Sequence, residues 1–371
     1  MFIHERSDWP QFTWESDKIG QRLGSVRHEQ GRLIGQMSAL GFKFQQEALL
    51  ETLTSDVMKS SEIEGERFEL EQVRSSIARR LGMEIGGMNP TERHVEGVVE
   101  MMLNATRHFN HPLTTDRLFG WHSALFPAGQ SGMRTIHTGG WRNDRMGPMQ
   151  VVSGPIGRER VHFEAPPAAR IPEEMTAFLN WFNTNSDMDW VIKAGLAHLW
   201  FVTLHPFDDG NGRIARAIGD MSLARSENSP QRFYSLSAQI LLERADYYDV
   251  LERTQKGTLD VTQWMDWFLA CLGRTIHGAQ DALGSILSKA QFWKSMEGIS
   301  LNERQRAVVS RVLEGFQGNL TTSKWAKLAK CSPDTALRDI LDLVEKGVLA
   351  KGPEGGRSTR YSLVKEPPQT A

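Results

Sequence analysis

The stretch HPFDDGNGRIAR, His205 to Arg216, brings one imidazole, two carboxylates, a Gly-Asn-Gly and two arginines into a dozen positions. A helix running into it must stop at His205, because the proline at 206 pushes the residue before it out of the α region. The imidazole therefore stands at a helix-to-loop junction rather than on a buried face. Gly210, Asn211 and Gly212 tolerate positive φ, so successive backbone N–H groups can converge on one concavity. A new helix begins at about Gly212, and its free N–H groups face the same way. This spacing predicts an anion site, most naturally for phosphate.

The arginines sharpen that expectation. Arg213 and Arg216 lie three apart in the first turn and share a helix face. Cations there oppose the helix dipole by about 0.3–1 kcal/mol each. A bound polyphosphate would turn the conflict into a complementary pairing, each guanidinium gripping oxygens bidentately. Asp209 is a hard oxygen ligand placed for Mg²⁺, which takes few carboxylates and shares phosphate oxygens. His205 can accept a proton near neutral pH. Together these groups describe transfer of a phosphate-linked group from a nucleotide to a hydroxyl. Singly, a histidine before proline can merely end a helix and Gly-Asn-Gly can merely turn. The arginines set against the dipole weigh against that plainer account.

Outward from the loop the chain reads as mostly helical. Apolar residues at three-to-four spacing predict one or two helices from Gln21 to about Gly65, and further helices in ELEQVRSSIARRL, HVEGVVEMMLNATRHF and TTDRLFGWHSALF, the last with a threonine cap. From about Gly132 to Pro172 the sequence is rich in Gly and Pro and holds two short alternating runs, MQVV and RVHF, a hairpin signal inside a long loop. Helical patterns resume at EEMTAFLNWFNTN and run on through FWKSM, with no internal repeat. The high tryptophan count, 11, falls mostly within helical patterns and reads as core packing.

The 371 residues are enough for two or three domains, and a net charge of −2 argues against global adhesion to nucleic acid or anionic membrane. The two cysteines, Cys271 and Cys331, suggest no disulfide framework and fit a reducing compartment. The N-terminal MFIHERSDWP lacks an apolar core for a signal peptide, and no stretch approaches twenty uninterrupted apolar residues. The expectation is a cytoplasmic protein with no membrane partner.

HPFDDGNGRIAR resembles the signature of the Fic family, HPFx(D/E)GNGRxxR, at every fixed position. The resemblance implies a mainly α protein, a Fic-type helical bundle with a β-hairpin flap, that transfers AMP from ATP to a Ser, Thr or Tyr hydroxyl of a target protein or of itself. It implies His205 as the base, Phe207 as the anchor of the loop and Asp209 as the Mg²⁺ ligand. Gly210, Asn211 and Gly212 would form the anion hole, Arg213 and Arg216 would reach the β- and γ-phosphates, and Ile214 and Ala215 complete the ATP-binding segment. Asp208 occupies the variable position and receives no chemistry. Gly212 is intact, whereas the Doc branch, a kinase of a translation factor, carries lysine there; AMP transfer is therefore favoured over phosphate transfer. Nothing in the chain points to the CDP-choline donor of other relatives.

Upstream, SSEIEG matches the family's inhibitory pattern (S/T)xxxE(G/N), with Ser60, Glu64 and Gly65 at the fixed positions. On its own the stretch also fits an ordinary helix C-terminus with a glycine cap. The resemblance implies that Glu64 pairs with Arg216 and occupies the guanidinium the γ-phosphate needs. Glu64 could alternatively position a water that removes AMP from a modified target. MQVVSGPIGRERVHF resembles the family's flap, about 147–165, which adds a target strand through main-chain hydrogen bonds. Tyr247 and Tyr248 match a tyrosine pair at the adenine site, or pack within a helix. Glu243 stands where relatives often carry asparagine.

The expected domains are an N-terminal helical region over 1–100 carrying the inhibitory helix (about 45–65), a catalytic region over 101–290, and a small winged helix-turn-helix domain over 300–365. The last segment, from 301 on, holds 12 basic and 8 acidic residues. Its third helix, the expected recognition helix, contains Asp334, Asp339, Asp342 and Glu345, which speaks against strong duplex binding. Expected partners are ATP, a target protein and a second copy of the chain, with DNA left open. Two function classes result: a self-restrained protein adenylyltransferase, or a DNA-binding regulator that uses the Fic domain as a nucleotide sensor.

Overall fold

The computed structural model describes all residues except 84–89, 146, 155–157, 159, 185–186, 314–318, 353–358 and 365–371. Two compact units emerge, one of residues 1–39 and 45–280, the other of 40–44 and 281–371.

The first unit is a helical bundle. Its helices are α1 (Ser16–Ser38), α2 (Phe42–Ile63), α3 (Leu70–Leu81), α4 (Arg93–Arg107), α5 (Thr115–Leu125), α6 (Ile171–Asn183), α7 (Trp190–Leu204), α8 (Asn211–Glu227), α9 (Leu236–Leu242), α10 (Arg244–Gln255) and α11 (Thr262–Ala282). Side chains with a mechanism for starting helices do so: the hydroxyl of Thr114 accepts from Arg117 N at 3.2 Å, the carboxylate of Asp189 from Val191 N at 2.7 Å. α7 and α8 form the most extensive helix pair, and α4 and α5 also lie against α8. From Val191 to Leu204 every residue of α7 is buried, and so is most of α8. A sequence apolar all round is the signature of such a central helix. The N-terminal helices and the signature helix thus share one unit. The boundary expected at residue 100 is not a structural one, because α2 delivers side chains into the same interior.

Two small antiparallel ribbons interrupt the bundle. β1 (Gln130–Ser131) pairs with β2 (Arg134–Thr135). The expected hairpin is β3 (Gln150–Ser153) with β4 (Arg160–Glu164), with Ser153 opposite Arg160 and a register shift between Val151 and Val152.

The second unit holds α12 (Gly284–Ser295), α13 (Glu303–Leu313), α14 (Thr322–Ala329), α15 (Pro333–Glu345) and an antiparallel pair, β5 (Leu349–Lys351) with β6 (Tyr361–Leu363). Its core includes Val309, Trp325, Ile340, Leu343 and Leu349. Helices followed by a two-stranded hairpin is the order expected from sequence. The acid count on α15 needs correcting. Asp339 is buried and accepts from Arg304 Nε at 2.6 Å and Nη2 at 2.8 Å. Asp342 accepts from Gln305 Nε2 and Lys346 Nζ, each at 2.7 Å. These two carboxylates tie α15 to its own unit. The exposed face instead shows Asp334, Leu337, Arg338, Leu341 and Glu345.

Candidate active site

His205 ends α7 in the left-handed conformation, φ 49°. That geometry is strained for a residue with a Cβ and needs support from its surroundings. Arg142 supplies it: Nε donates to His205 O at 2.7 Å, its backbone N donates to Pro206 O at 2.9 Å, and Nη2 donates to Pro166 O. Arg142 is buried, and Asp144 balances its charge at 2.8 Å. The side chain of His205 directs Nδ1 at the carbonyl of Val202, 3.2 Å away. A carbonyl only accepts, so Nδ1 carries the proton and Nε2 is left with a free lone pair. Burial holds the imidazole pKa below its ordinary value, against the opposing pull of that hydrogen bond. The ring is therefore neutral near pH 7 and able to take a proton.

The loop beyond it is fixed from both sides. Phe207 is fully buried and stacks on His122 at 4.2 Å. Asn211 Oδ1 accepts from Phe207 N at 3.0 Å, and its Nδ2 donates to Phe207 O at 2.8 Å. The side chain of Asn211 is thus a clamp on the loop and not part of the anion hole; only its backbone can serve there. Asp208, given no role from sequence, accepts from His137 N at 2.9 Å. Asp209 accepts from Gly210 N at 2.6 Å through Oδ1 and from the Ser131 hydroxyl through Oδ2.

α8 starts at Asn211, one residue before expectation, and its first intrahelical bond runs from Ile214 N to Gly210 O at 3.0 Å. The N–H groups of Asn211, Gly212 and Arg213 precede that bond and have no intrahelical acceptor. Ile214 and Ala215, grouped with the ATP-binding residues from sequence, are fully buried in the core. Their side chains hold α8 in place and can offer a ligand backbone only.

Across the N-terminus of α8 lies the end of α2. Gly65, at φ 85°, turns the chain there, with Glu66 N bonded back to Ser61 O at 3.0 Å. Glu64 Oε1 accepts from Arg216 Nη2 at 2.8 Å. Ser60 completes the pairing: Oγ accepts from Arg216 Nε and its carbonyl from Nη2, both at 2.9 Å. The inhibitory-pattern residues and the second signature arginine meet as the resemblance implied, and Gly65 is a helix cap as well. Gly212 makes the fit possible. A Cβ there would stand 2.2 Å from Glu64 Oε1 and 3.2 Å from Arg216 Nη1. The carboxylate therefore presses against the helix N-terminus, in the place an anion would take. Arg216 is 2% exposed, and its Nη1 has no protein partner. A buried donor left unpaired beside a helix N-terminus is the mark of an anion site.

Arg213 brought an unexpected partner. Its Nη1 donates to Glu66 Oε2 at 2.7 Å, and the same oxygen lies 3.1 Å from His94 Nε2. His94 Nδ1 in turn donates to Leu125 O at 2.8 Å. The hydrogen bond to Glu66 raises the pKa of His94 above its ordinary value, against partial burial. Burial works to raise the Glu66 pKa, yet His94 and Arg213 hold it below the usual carboxylate range.

A cleft of ≈ 840 Å³ opens in front of these groups, lined by His205, Asp209, Asn211, Gly212 and Glu64 on one wall and by both hairpin strands on another. Neither signature guanidinium is among its lining residues; both lie behind glutamates. Of the tyrosine pair, Tyr247 is buried and bonded to His198 Nε2 at 2.9 Å, so most of its surface packs in the interior. Tyr248 is 39% exposed and carries Arg244 over its ring at 5.6 Å. Glu243 is taken by Arg274, at 2.5 Å to both oxygens. Sequence reasoning missed Arg142, Ser131, Glu66 and His94. Each comes from a segment far from the loop in sequence, so no local spacing announces it.

Residues 112–223 match the family model described as Fic/DOC family, and residues 2–83 match one described as a domain of unknown function, DUF4172. The chain is 32% identical over 124 residues to a protein adenylyltransferase Fic of Nematostella vectensis, covering 30% of this chain and 25% of that one. It is 31% identical over 122 residues to a uridine 5'-monophosphate transferase of Xanthomonas campestris pv. campestris (strain 8004), covering 31% and 21%. The chain thus spans about a quarter or less of the length of these relatives. In structure it is similar to a Fic family protein from Desulfovibrio desulfuricans G20, with a TM-score of 0.60 at 20% identity over 97% of this chain and 99% of that one. A Fic domain containing signaling protein from Bacteroides thetaiotaomicron VPI-5482 follows at 0.51 and 19% identity, over 72% and 97%.

Proposed function

We propose, from the premise that this chain carries a Fic/DOC-family domain at residues 112–223, that it is a protein adenylyltransferase held in check by its own Glu64. The observation that carries the proposal is the unpaired, buried Nη1 of Arg216 beside the free N-terminus of α8, behind a cleft lined by Glu64, His205, Asp209 and Gly212. The backbone N–H groups of Asn211 to Arg213 and the freed guanidinium would cradle the phosphates. His205 Nε2 would take the proton from the attacking hydroxyl, while Arg142 fixes the backbone that aims it. Asp209 fits Mg²⁺ by chemistry: it brings a hard carboxylate oxygen to the wall of the cleft, next to Gly210 and the start of α8. A lone carboxylate beside a phosphate cradle suits an ion that completes its shell with phosphate oxygens and water. When bound, Mg²⁺ would neutralise charge building on the phosphates.

With Glu64 in place, its carboxylate fills the spot that the terminal phosphate needs. The flap hairpin, its strands along the cleft, is suited to adding a strand of a target protein. The donor base is the open choice, since one relative bears the name of a UMP transferase. Incubating the protein and its His205→Ala variant with ATP or UTP, Mg²⁺ and an acceptor peptide bearing Ser, Thr and Tyr, read by the mass of the peptide, tests the proposal. A mass gain of one AMP, retained ATP binding and a loss of about 10²–10⁴-fold in rate for His205→Ala are expected. A variant that still transfers at the parent rate would remove His205 from its role. A gain of UMP in place of AMP would change the donor.

A further inference from the structure

The hairpin carries a hydrogen-bonded chain that the transfer chemistry above does not use. Ser153 stands opposite Arg160 across the ribbon, and His162 lies two residues further along β4, so all three share one face. Ser153 Oγ is 2.6 Å from His162 Nε2, and His162 Nδ1 is 2.5 Å from Glu252 Oε2 on α10. Glu252 also accepts from Lys256 Nζ at 2.6 Å and Arg160 Nη2 at 3.2 Å. The hydrogen bond from Lys256 leads the effects that hold its carboxyl down to about 2, so it is ionised at any ordinary pH. An ionised carboxylate only accepts, which puts a proton on Nδ1 of His162. With that proton on Nδ1, Nε2 is the ring atom that can accept from the serine hydroxyl. Hydroxyl, imidazole and carboxylate in this order form the arrangement that activates a serine. Ser153, His162 and Glu252 all line the cleft that holds His205 and Asp209. Ser153 itself is exposed.

We infer that Ser153 is the hydroxyl the protein modifies on itself, with His162, held by Glu252, as the acceptor of its proton. The inference rests on AMP transfer as the activity of the cleft. In the step, Ser153 Oγ bonds to the α-phosphorus of ATP as the bond from that phosphorus to the bridging oxygen breaks. Pyrophosphate leaves with the electron pair, and the hydroxyl proton passes to His162 Nε2 and then to water. The product is a phosphodiester of AMP on the flap. His205 remains the base for hydroxyls that come from outside. A nucleotide on β3 would sit on the strand ribbon that an incoming target has to pair with, so self-modification would also obstruct the flap.

The test uses full-length Glu64→Gly protein, incubated with ATP and Mg²⁺, followed by intact-protein mass and then peptide mapping. The adduct is expected on the peptide that contains Ser153. Ser153→Ala should remove that adduct while ATP binding and thermal midpoint stay unchanged. His162→Gln keeps a polar side chain but cannot take up the proton; it should slow labelling of Ser153 by about 10²-fold or more and flatten its pH profile. A purely structural latch between flap and α10 would give neither the adduct nor the change in pH profile. Labelling of other residues or of an added hydroxyl, with Ser153 unlabelled, overturns this inference and leaves the transfer activity standing. No labelling of any hydroxyl, with ATP bound, overturns the transfer activity itself and this inference with it.

Discussion

Arg213 and Arg216 sit one turn apart on α8, both all but fully buried, yet they are held in different ways. Arg216 is bound by one short segment: a hydroxyl, a carbonyl and a carboxylate, all from Ser60 to Glu64. Removing the carboxylate would leave the other two contacts, so the guanidinium stays aimed where a phosphate would arrive. Arg213 depends on a single ion pair with Glu66, and that pair is shared with a titratable third party, His94. The first arrangement fixes a guanidinium at three points. The second fixes one through a single carboxylate that an imidazole shares. Burying either arginine without its carboxylate would be costly, because an unpaired interior charge has no compensation. The glutamates therefore supply the compensation that both buried cations need.

The sharpest way to break the comparison is to remove an arginine where its latch is already gone. Arg216→Ala in the Glu64→Gly background should lower AMP transfer by about 10²–10³-fold, the typical loss for one charge-stabilising donor. Labelled-ATP rates measure it, and an unchanged rate would show that Arg216 is not the residue freed. Next in size is Glu64→Gly alone. Transfer should rise by about 5–150-fold, the span of a typical regulatory coupling. Should the variant fold, bind ATP and be no faster than the parent, the Arg216 contact is not the restraint.

Glu66→Gln sharpens the contrast further. Glu66 is the partly exposed member of its pair with buried Arg213; at roughly 0.2–1 kcal/mol for such a partner, ATP binding should tighten by about 2–5-fold, most clearly in the Glu64→Gly background. Isothermal titration reads this; no effect would make Glu66 a bystander. The smallest effect is in pH. The pKa of His94 is raised in the folded protein, so its support of Glu66 is fully present below the ordinary imidazole pKa. That support is lost as pH rises through the elevated value. ATP should accordingly bind more tightly on the alkaline side, by up to a few-fold. His94→Gln should remove that slope, as titration of ATP binding across pH would read.

What sequence could show here follows from distance along the chain. The loop from His205 to Arg216 was legible because its constraints are local: a proline that ends a helix, glycines that turn, arginines spaced by one turn. Glu64 was legible only through a short pattern attached to a known family, and its contact spans most of the bundle. Glu66 has no such pattern, and nothing in the spacing of EGE marks the second glutamate as a partner of Arg213. Arg142 lies in a glycine-rich stretch that reads as loop, yet it is the buried strut under His205. Asp339 was misplaced for a different reason. It lies on the Ala336–Ile340–Leu343 stripe of α15, so the helix period itself puts it inward, but counting charges hid that. Asp339 being buried and Asp342 being engaged by Gln305 and Lys346 weakens the acidic argument against DNA. The exposed Leu337 and Leu341 on the same helix supply a separate one, since apolar side chains offer a phosphate backbone nothing.

Gly65 leaves one further mechanical consequence. It sits between the two glutamates, so both carboxylates are carried on a single bend of chain, like two teeth on one key. Neither arginine can be unlocked by rotating α8 alone, because that helix is wedged into the interior along nearly its whole length. What the two contacts have in common is the bend. A pull on the end of α2 of a few ångströms would draw both teeth together, and a ligand able to grip that bend would turn one motion into release of two charges at once.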